Sequence, residues 1–377
     1  MGRVLREGWE VKKLVDIAMV NTGKYDANHA NKEGKYRFYT CAYNYGMCNT
    51  NRFFGESLIL PGNGVNVGEV FFYDGEFDAY QRTYVISNIK IFPKYLHYHM
   101  LLFWKELGTK LQYGSATNFI KIGNFQNYDV SYPPLPEQQK IVAILDEAFG
   151  AIEKAKANAK LSLTHAKELF ESYLQSVFEN RGEGWEEKTL SDVCEITSKL
   201  IDPKKQEFQN LIHIGAGNIE SKKGSLIDLK TAEEENLISG KFLFDETMVL
   251  YSKIRPYLMK VVRCDFKGLC SADIYPLVPI INEMTQDFLY HLLLSGHFTE
   301  YAIEGSQRAG MPKVNRKHLF EYTFYCPPLQ AQKTIVKKLN TLSEQTKALE
   351  KIYQQKINDL DELKKSILQK AFNGELV

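Results

Sequence analysis

Two stretches of the chain carry a helical seam. Ala159, Leu163, Ala166, Phe170, Tyr173 and Val177 recur in steps of four and three, and Tyr353, Ile357, Leu360, Leu363, Ile367 and Ala371 form the second series, with Lys, Glu and Gln between them. An apolar stripe of that period predicts a coiled-coil seam. The chain around the seams has a different texture. Glu56–Leu60, Glu69–Tyr73, Arg82–Ile86 and Lys90–Phe92 gather β-branched and aromatic residues between Gly, Pro and Asn, which predicts short strands, and Tyr95–Leu107 predicts a buried helix. Further on, Met248–Tyr251 and Tyr275–Val278 predict strands ahead of a helix over Gln286–Phe298. The pattern is that of two similar α/β blocks, α+β in class, each followed by a long helix.

The blocks are also repeats in sequence. Pro133-Pro134-Leu135-Pro136-Glu137-Gln138-Gln139-Lys140-Ile141-Val142 returns as Pro327-Pro328-Leu329-Gln330-Ala331-Gln332-Lys333-Thr334-Ile335-Val336, and Leu169–Phe178 then aligns without a gap on Leu363–Phe372. Gly8-Trp9-Glu10 matches Gly184-Trp185-Glu186, and Tyr98-His99-Met100-Leu101-Leu102 matches Tyr290-His291-Leu292-Leu293-Leu294. The expected division is a block over 1–135, a helical spacer over 136–182, a block over 183–329 and a spacer over 330–377. Placing the blocks at opposite ends of one rod requires antiparallel helices and gives a pseudo-twofold layout. The other reading packs each helix on its own block. A two-sided chain suits a two-sided partner, and double-stranded DNA read at two half-sites is the leading example. The helical stretch beyond Ile152 would span on the order of 40 Å at roughly 1.5 Å per residue, close to the roughly 34 to 36 Å between half-sites one turn apart.

Composition narrows the field. The chain has 377 residues, 44% hydrophobic and 25% charged, with a net charge of +1. That is a soluble two-domain profile with no basic footprint, so DNA binding rests on the architecture. The cysteines Cys41, Cys48, Cys194, Cys264, Cys270 and Cys326 form no C-x-x-C pair, so neither a zinc site nor a disulfide scaffold is expected. No signal-peptide core and no membrane-length apolar run occur, and the expected location is the cytoplasm.

Catalytic motifs are missing. An adenine methyltransferase needs Asp, Asn or Ser before a Pro-Pro-aromatic loop that holds a flipped base, whereas the Pro-Pro pairs here follow Tyr132 and Cys326 and precede Leu. No Gly-x-x-x-x-Gly-Lys-Ser/Thr loop is present, and Leu211–Gly217 enters a Gly-x-Gly turn followed by a polar, broken segment rather than a packing helix. The chain is therefore expected to be non-catalytic, with no cofactor or metal of its own.

Readout residues are sought where the repeats align but differ. Gln81 and Arg82 fall opposite Asp273 and Ile274, and Tyr80-Gln81-Arg82-Thr83 is a candidate because Arg reads guanine and Gln adenine in the major groove; a strand-start salt bridge is the alternative. Asn63 and Asn66 lie in a Gly-Asn loop that serves a tight turn or a phosphate. Ser115, Thr117 and Asn118 in one block, and Ser306 and Arg308 in the other, occupy matching loops ahead of each block's last strand. Ser252, Lys253, Arg255 and Tyr257 join polar donors to a rigid turn, with Lys260, Arg263 and Lys313 as phosphate partners; all of these also suit an ordinary solvated surface. His99 and His291 sit in apolar helices and read as structural.

The Pro-Pro-Leu-Pro-Glu-Gln-Gln-Lys-Ile-Val run, the Gly-Trp-Glu openings and the ending Ile367-Leu368-Gln369-Lys370-Ala371-Phe372-Asn373-Gly374-Glu375-Leu376 resemble the specificity subunit of type I restriction-modification systems, over essentially the whole chain. The resemblance implies two target-recognition domains, each reading half of a bipartite site in double-stranded DNA. It also implies helices that set the spacing and dock two modification (methyltransferase) subunits, with restriction subunits completing the complex. S-adenosylmethionine, ATP and Mg are expected on those partner subunits. Gln330-Ala331 departs from Pro136-Glu137, so the two docking surfaces differ. A structural coiled-coil adaptor whose globular domains bind proteins remains the second reading.

Overall fold

The computed structural model describes residues 8–110, 118–180, 182–307 and 310–376, side chains 106–110 excepted. The chain divides into two compact units, Met1–Lys160 with Gln354–Val377, and Leu161–Tyr353. Two helices dominate, Leu135–Glu179 with 45 residues and Leu329–Phe372 with 44. Each gives one end to each unit.

In the first unit a four-stranded antiparallel sheet runs in the order Met19–Thr22, Thr83–Ser87, Ser57–Pro61, Phe71–Tyr73. Its central strands are apolar on both faces because both are covered. Leu58, Leu60, Tyr84 and Ile86 point into the helical core with Tyr95, Trp104 and Phe125, while Ile59 and Val85 meet Tyr39, Phe53 and Phe77 of a smaller sheet. That smaller sheet pairs Tyr36–Tyr39 antiparallel with Gly46–Cys48 and parallel with Phe77–Ala79. Glu10–Lys13 pairs with Asp129–Tyr132, and the latter strand leads straight into the first long helix.

The second unit repeats the plan. Its four-stranded sheet runs Cys194–Glu195, Ile274–Pro279, Val249–Ser252, Val261–Arg263, and Glu186–Thr189 pairs with Thr323–Cys326. Val249, Tyr251, Tyr275 and Leu277 face Phe288, Phe298 and Tyr322; Leu250, Ile274 and Val262 face Ile214, Phe244 and Cys270 of a five-stranded sheet.

A buried glutamine ties each block to its long helix. Gln138 Oε1 accepts from Phe92 N (2.9 Å) and Nε2 donates to Pro133 O (2.8 Å); Gln332 Oε1 accepts from Thr285 N (2.8 Å) and Nε2 donates to Pro327 O (3.0 Å). These bonds explain the repeated Pro-Pro-Leu-x-x-Gln: the prolines precede the first turn, where no backbone donor is needed, and the glutamine reaches back to fasten the loop. They also reset one alignment. Pro93 stands opposite Gln286 as the first residue of its helix, so the counterpart of His291 is Tyr98, not His99. Tyr98 donates to Asp146 and His291 bonds Asn340, one residue pair in each unit.

Within each unit the long-helix segments run antiparallel. In the first, Lys156 pairs with Asp361 (2.7 Å) and Glu153 with Lys364 (2.8 Å); in the second, Lys167 pairs with Glu350 (3.6 Å) and the Lys338 ammonium lies 4.3 Å from the Tyr173 ring. Of the expected seam, Ala159, Ala166, Val177 and Ala371 are buried, and Leu163, Phe170, Tyr173, Tyr353, Ile357, Leu360 and Ile367 are half-buried. Leu363 is the correction, 47% exposed. After Leu360 the helix needs a step of four to keep its face, which selects Lys364; its ammonium lies 4.9 Å from the centre of the Phe149 ring and pairs with Glu153.

Two further expectations fail. Lys90–Phe92 is not a strand, because Pro93 opens a helix to Lys110 and the preceding residues lead into it, Lys90 N bonding Ile17 O. Gln286–Phe298 is two helices, Gln286–Leu293 and Gly296–Glu304. Ser295 ends one and caps the next, Oγ donating to Leu292 O (2.7 Å) and accepting from Phe298 N (3.2 Å). Among the described residues no helix is long and apolar enough to cross a membrane.

Candidate nucleic-acid interface

Each unit carries the same backbone frame at one end of its central strands. In the first, Gly62 N donates to Arg82 O (2.9 Å), Ile120 N to Gly62 O (2.9 Å), Gly64 N to Asn118 O (2.8 Å) and Tyr84 Oη to Ile120 O (3.1 Å). In the second, Lys253 N donates to Asp273 O (3.0 Å), Val314 N to Lys253 O (2.8 Å), Arg255 N to Pro312 O (2.9 Å) and Tyr275 Oη to Val314 O (3.2 Å). Strand register fixes the equivalence: Thr83 faces Pro61 where Ile274 faces Ser252. The expected alignment was one residue out. Arg82 stands opposite Asp273, and Gln81 opposite Ala272, because the loops ahead of the two strands differ while the buried Tyr84 and Tyr275 hold their places.

Different side chains are mounted on this frame. In the first unit Gln81 and Arg82 are exposed at the Tyr80–Thr83 turn, and neither side chain finds a partner among the described residues, so the alternative strand-start salt bridge does not form. Asn118 is exposed beside them and Asn63, half-exposed, bridges to Phe119. Thr83, fully buried, and Asn66, whose amide donates to Cys41 O (2.8 Å), belong to the frame instead. Tyr80 is half-buried and its N–H bonds Tyr39 O (2.8 Å). Ser115 and Thr117 lie outside the described residues.

In the second unit Asp273 draws in two lysines, Lys313 at 3.1 Å and Lys253 at 3.8 Å. Lys253 is held further, its Nζ donating to Ala272 O and lying 5.0 Å from the Tyr275 ring. Burial lowers the pKa of its ammonium, the neighbouring Lys313 adding to the effect and Asp273 opposing it. Arg255 and Tyr257 are exposed, and the Arg255 guanidinium has no acceptor among the described residues. Its backbone is left-handed, φ 50°, where the first unit uses Gly64 at φ 84°. Four expected contacts are spoken for. Ser252 is buried with Oγ on Ile254 O, Ser306 is buried with Oγ on Ile303 O, Lys260 bonds Ala216 O and Arg263 pairs with Asp287. Arg308 lies outside the described residues.

The free arginine has therefore changed sides of the rim, from the turn before the Thr83 strand to the loop after the Ser252 strand. A donor-rich, partner-free side chain on a rigid frame is what base or phosphate recognition requires. The other segment read for chemistry has a different build. The Leu211–Gly217 segment is a short strand and a turn in which Asn218 Oδ1 accepts from Gly215 N (2.8 Å), with no helix opening behind it, and the described residues contain no cluster of metal-ligating side chains. The sequence reading set Asp273 opposite Gln81 rather than Arg82, and it passed over Arg37, whose guanidinium lies against the Tyr45 and Tyr73 rings.

Known proteins agree with this layout. The family described as type I restriction modification DNA specificity domain matches residues 6–163 and 182–359, one match per block. The chain is 31% identical to the type I restriction enzyme EcoDI specificity subunit of Escherichia coli, over 98% of this chain and 88% of that protein, and 23% identical to the MjaVIII specificity subunit of Methanocaldococcus jannaschii, over 98% and 93%. Its fold is similar to that of a chain from a type I restriction-modification system solved to explain complex assembly and conformational transition (TM-score 0.75, 16% identity, 98% and 99% covered). It is also similar to the HsdS subunit of Thermoanaerobacter tengcongensis (TM-score 0.57, 16% identity, 98% of both chains). These matches do not favour the protein-binding adaptor. Two copies of one recognition block, each with its own rim chemistry and its own stretch of paired helix, place the chain in the family of type I restriction-modification DNA specificity subunits.

Proposed function

We propose that the two blocks read the two halves of a bipartite DNA site, while the long helices set the gap and dock two methyltransferase subunits that bring S-adenosylmethionine. Restriction subunits, where present, add ATP- and Mg-dependent translocation and cleavage, and this chain performs no chemistry itself. The observation that carries the reading is the twofold use of one hydrogen-bonded frame with Arg82 free on one copy and Arg255 on the other. Shared backbone keeps each rim rigid; unshared side chains let the halves differ in sequence. Trp9 Nε1 donates to Glu137 (3.2 Å), and Ala331 offers no acceptor at the matching place, which supports non-identical docking surfaces at the two helix starts.

The test is a map of methylated adenines in cells that express the chain with its modification partner. Arg82→Ala is expected to relax one half of the mapped site and Arg255→Ala the other, each by about 1–3 kcal/mol of discrimination. A map that both variants leave unchanged, or methylation by this chain alone, overturns the reading.

A further inference from the structure

One cation of the first block is not explained by the rim. Arg37 lies on the Tyr36–Tyr39 strand of the smaller sheet. Its guanidinium carbon is 4.3 Å from the centroid of the Tyr45 ring and 4.2 Å from that of Tyr73, and Nη1 donates to Tyr39 Oη at 3.2 Å. No carboxylate pairs with it among the described residues, and its remaining N–H donors have no acceptor there. Tyr45 and the neighbouring Tyr43, which leans on Phe71, are 46% and 69% exposed. A guanidinium packed against rings loses its freedom to swing and keeps only its edge for hydrogen bonding. The surroundings supply further phenolic donors and no anion. Tyr39 is also joined to the rim, since Tyr80 N donates to Tyr39 O (2.8 Å) at the start of the Gln81–Arg82 turn.

The second block lacks this arrangement. The parallel pairing of Phe38 with Asp78 corresponds to that of His213 with Leu269, which puts Ile212 where the first block has Arg37; Val262 and Cys264 stand where it has Phe71 and Tyr73.

We propose that Arg37, oriented by Tyr39, Tyr45 and Tyr73, is a seat for a backbone phosphate of the DNA held by the first block, and that the second block has no counterpart. The proposal rests on the DNA reading above. An anion with several acceptor oxygens matches a fixed guanidinium edge ringed by hydroxyl donors, and a phosphate contact beside the rim would set the register in which Gln81 and Arg82 meet the bases.

The experiment uses the chain assembled with its modification subunit and a duplex oligonucleotide carrying the mapped methylation site, with a scrambled duplex as control, titrated over a range of salt. Arg37→Gln is expected to weaken binding about tenfold, by the same factor on single-base variants of the site. The slope of log K against log salt becomes shallower by about 0.9, the value of one phosphate contact. Arg37→Lys keeps the wild-type slope but not the full affinity, and Tyr45→Leu, changed at an exposed ring, weakens binding with the charge retained. Wild-type affinity and slope in Arg37→Gln and Tyr45→Leu overturn the proposal; so does a changed methylation site, which would make Arg37 a reader of bases. If the wild-type complex does not distinguish the two duplexes, the DNA reading itself has failed.

Discussion

The two blocks are best understood against each other. In the hydrogen bonds that hold the backbone they agree to within a few tenths of an ångström: the glutamine tie to the long helix, the tyrosine hydroxyl on a loop carbonyl and the crossed amide bonds of the rim all occur twice. Where side chains leave that frame they diverge. Arg82 answers to Asp273, Gly64 to Arg255, Phe119 to Lys313, Arg37 to Ile212. A duplicated fold kept its buried polar bonds because each is expensive to leave unmade, and varied its rim because an exposed side chain costs the fold little. One block now presents a free arginine and an aromatic-lined guanidinium, and the other a lysine pair gathered by a carboxylate beside a left-handed arginine. The difference teaches that the frame is held in common while the side chains mounted on it are not, and on the proposed reading the first supplies rigidity and the second selectivity.

The largest effect should come from breaking the shared part. Gln332 is fully buried and holds Thr285 N, Glu283 O and Pro327 O, while Gln138 holds Phe92 N and Pro133 O. Replacing either with Leu strands buried backbone groups at roughly 1–3 kcal/mol each. We expect Gln332→Leu to cost about 4 kcal/mol and Gln138→Leu about 3 kcal/mol in urea unfolding. If one block tolerates the change, the two frames are not equivalent.

Much of that frame was legible beforehand. The Pro-Pro-Leu-x-x-Gln repeat marked both ties, and the central strands announced themselves as apolar runs because both of their faces are covered. The rim was not legible to the residue. Alignment through Tyr80–Thr83 slipped by one because hydrogen bonds, not side-chain similarity, decide which positions correspond. Leu363 was misplaced because hydrophobicity outvoted the helical step that selects Lys364, and the break at Ser295 was hidden in an apolar run although Ser followed by Gly is itself a capping signal. Arg37 could not be found locally, since the rings beside it come from Tyr45 and Tyr73.

Acid should strain both blocks. Burial pushes His97 in the first unit and His291 in the second down to about 4, with the bond to Val70 O opposing it at His97 and the bond to Asn340 at His291. Both pKa values lie below that of an unfolded histidine, so the unfolded chain takes up more protons between roughly pH 6.5 and 4. The stability contributed by the neutral rings is therefore complete above that window and is lost as pH falls through it. For His291, 2% exposed, the loss between pH 7 and pH 5 is on the order of 2 kcal/mol. Depressed carboxylates such as Glu153, held down by Lys364, act only at lower pH and leave this interval to the histidines. Melting curves at pH 7 and pH 5 should show a drop that His291→Gln and His97→Gln each reduce; a drop unchanged in one variant would mean that its block does not bury a neutral imidazole.

The smallest effect on stability separates fold from function most cleanly. Arg255 holds φ 50° at the position where the first block has Gly64, and no backbone gain explains an arginine there. A left-handed L-residue costs roughly 1–2 kcal/mol, against which the extra freedom of an unfolded glycine costs about 0.5–1 kcal/mol. Arg255→Gly should therefore leave the chain as stable or stabilise it by up to about 1 kcal/mol, while its half of the methylation site loses selectivity. A strained residue that can be relaxed with loss of recognition alone is kept for the ligand. Gly64→Arg is the converse: it imposes the strain on the first block without the Pro256 turn that carries Arg255, so stability should fall with no gain in binding. If Arg255→Gly destabilises the chain and leaves the mapped site intact, the arginine belongs to the frame and the division between shared backbone and reading side chains fails at that position.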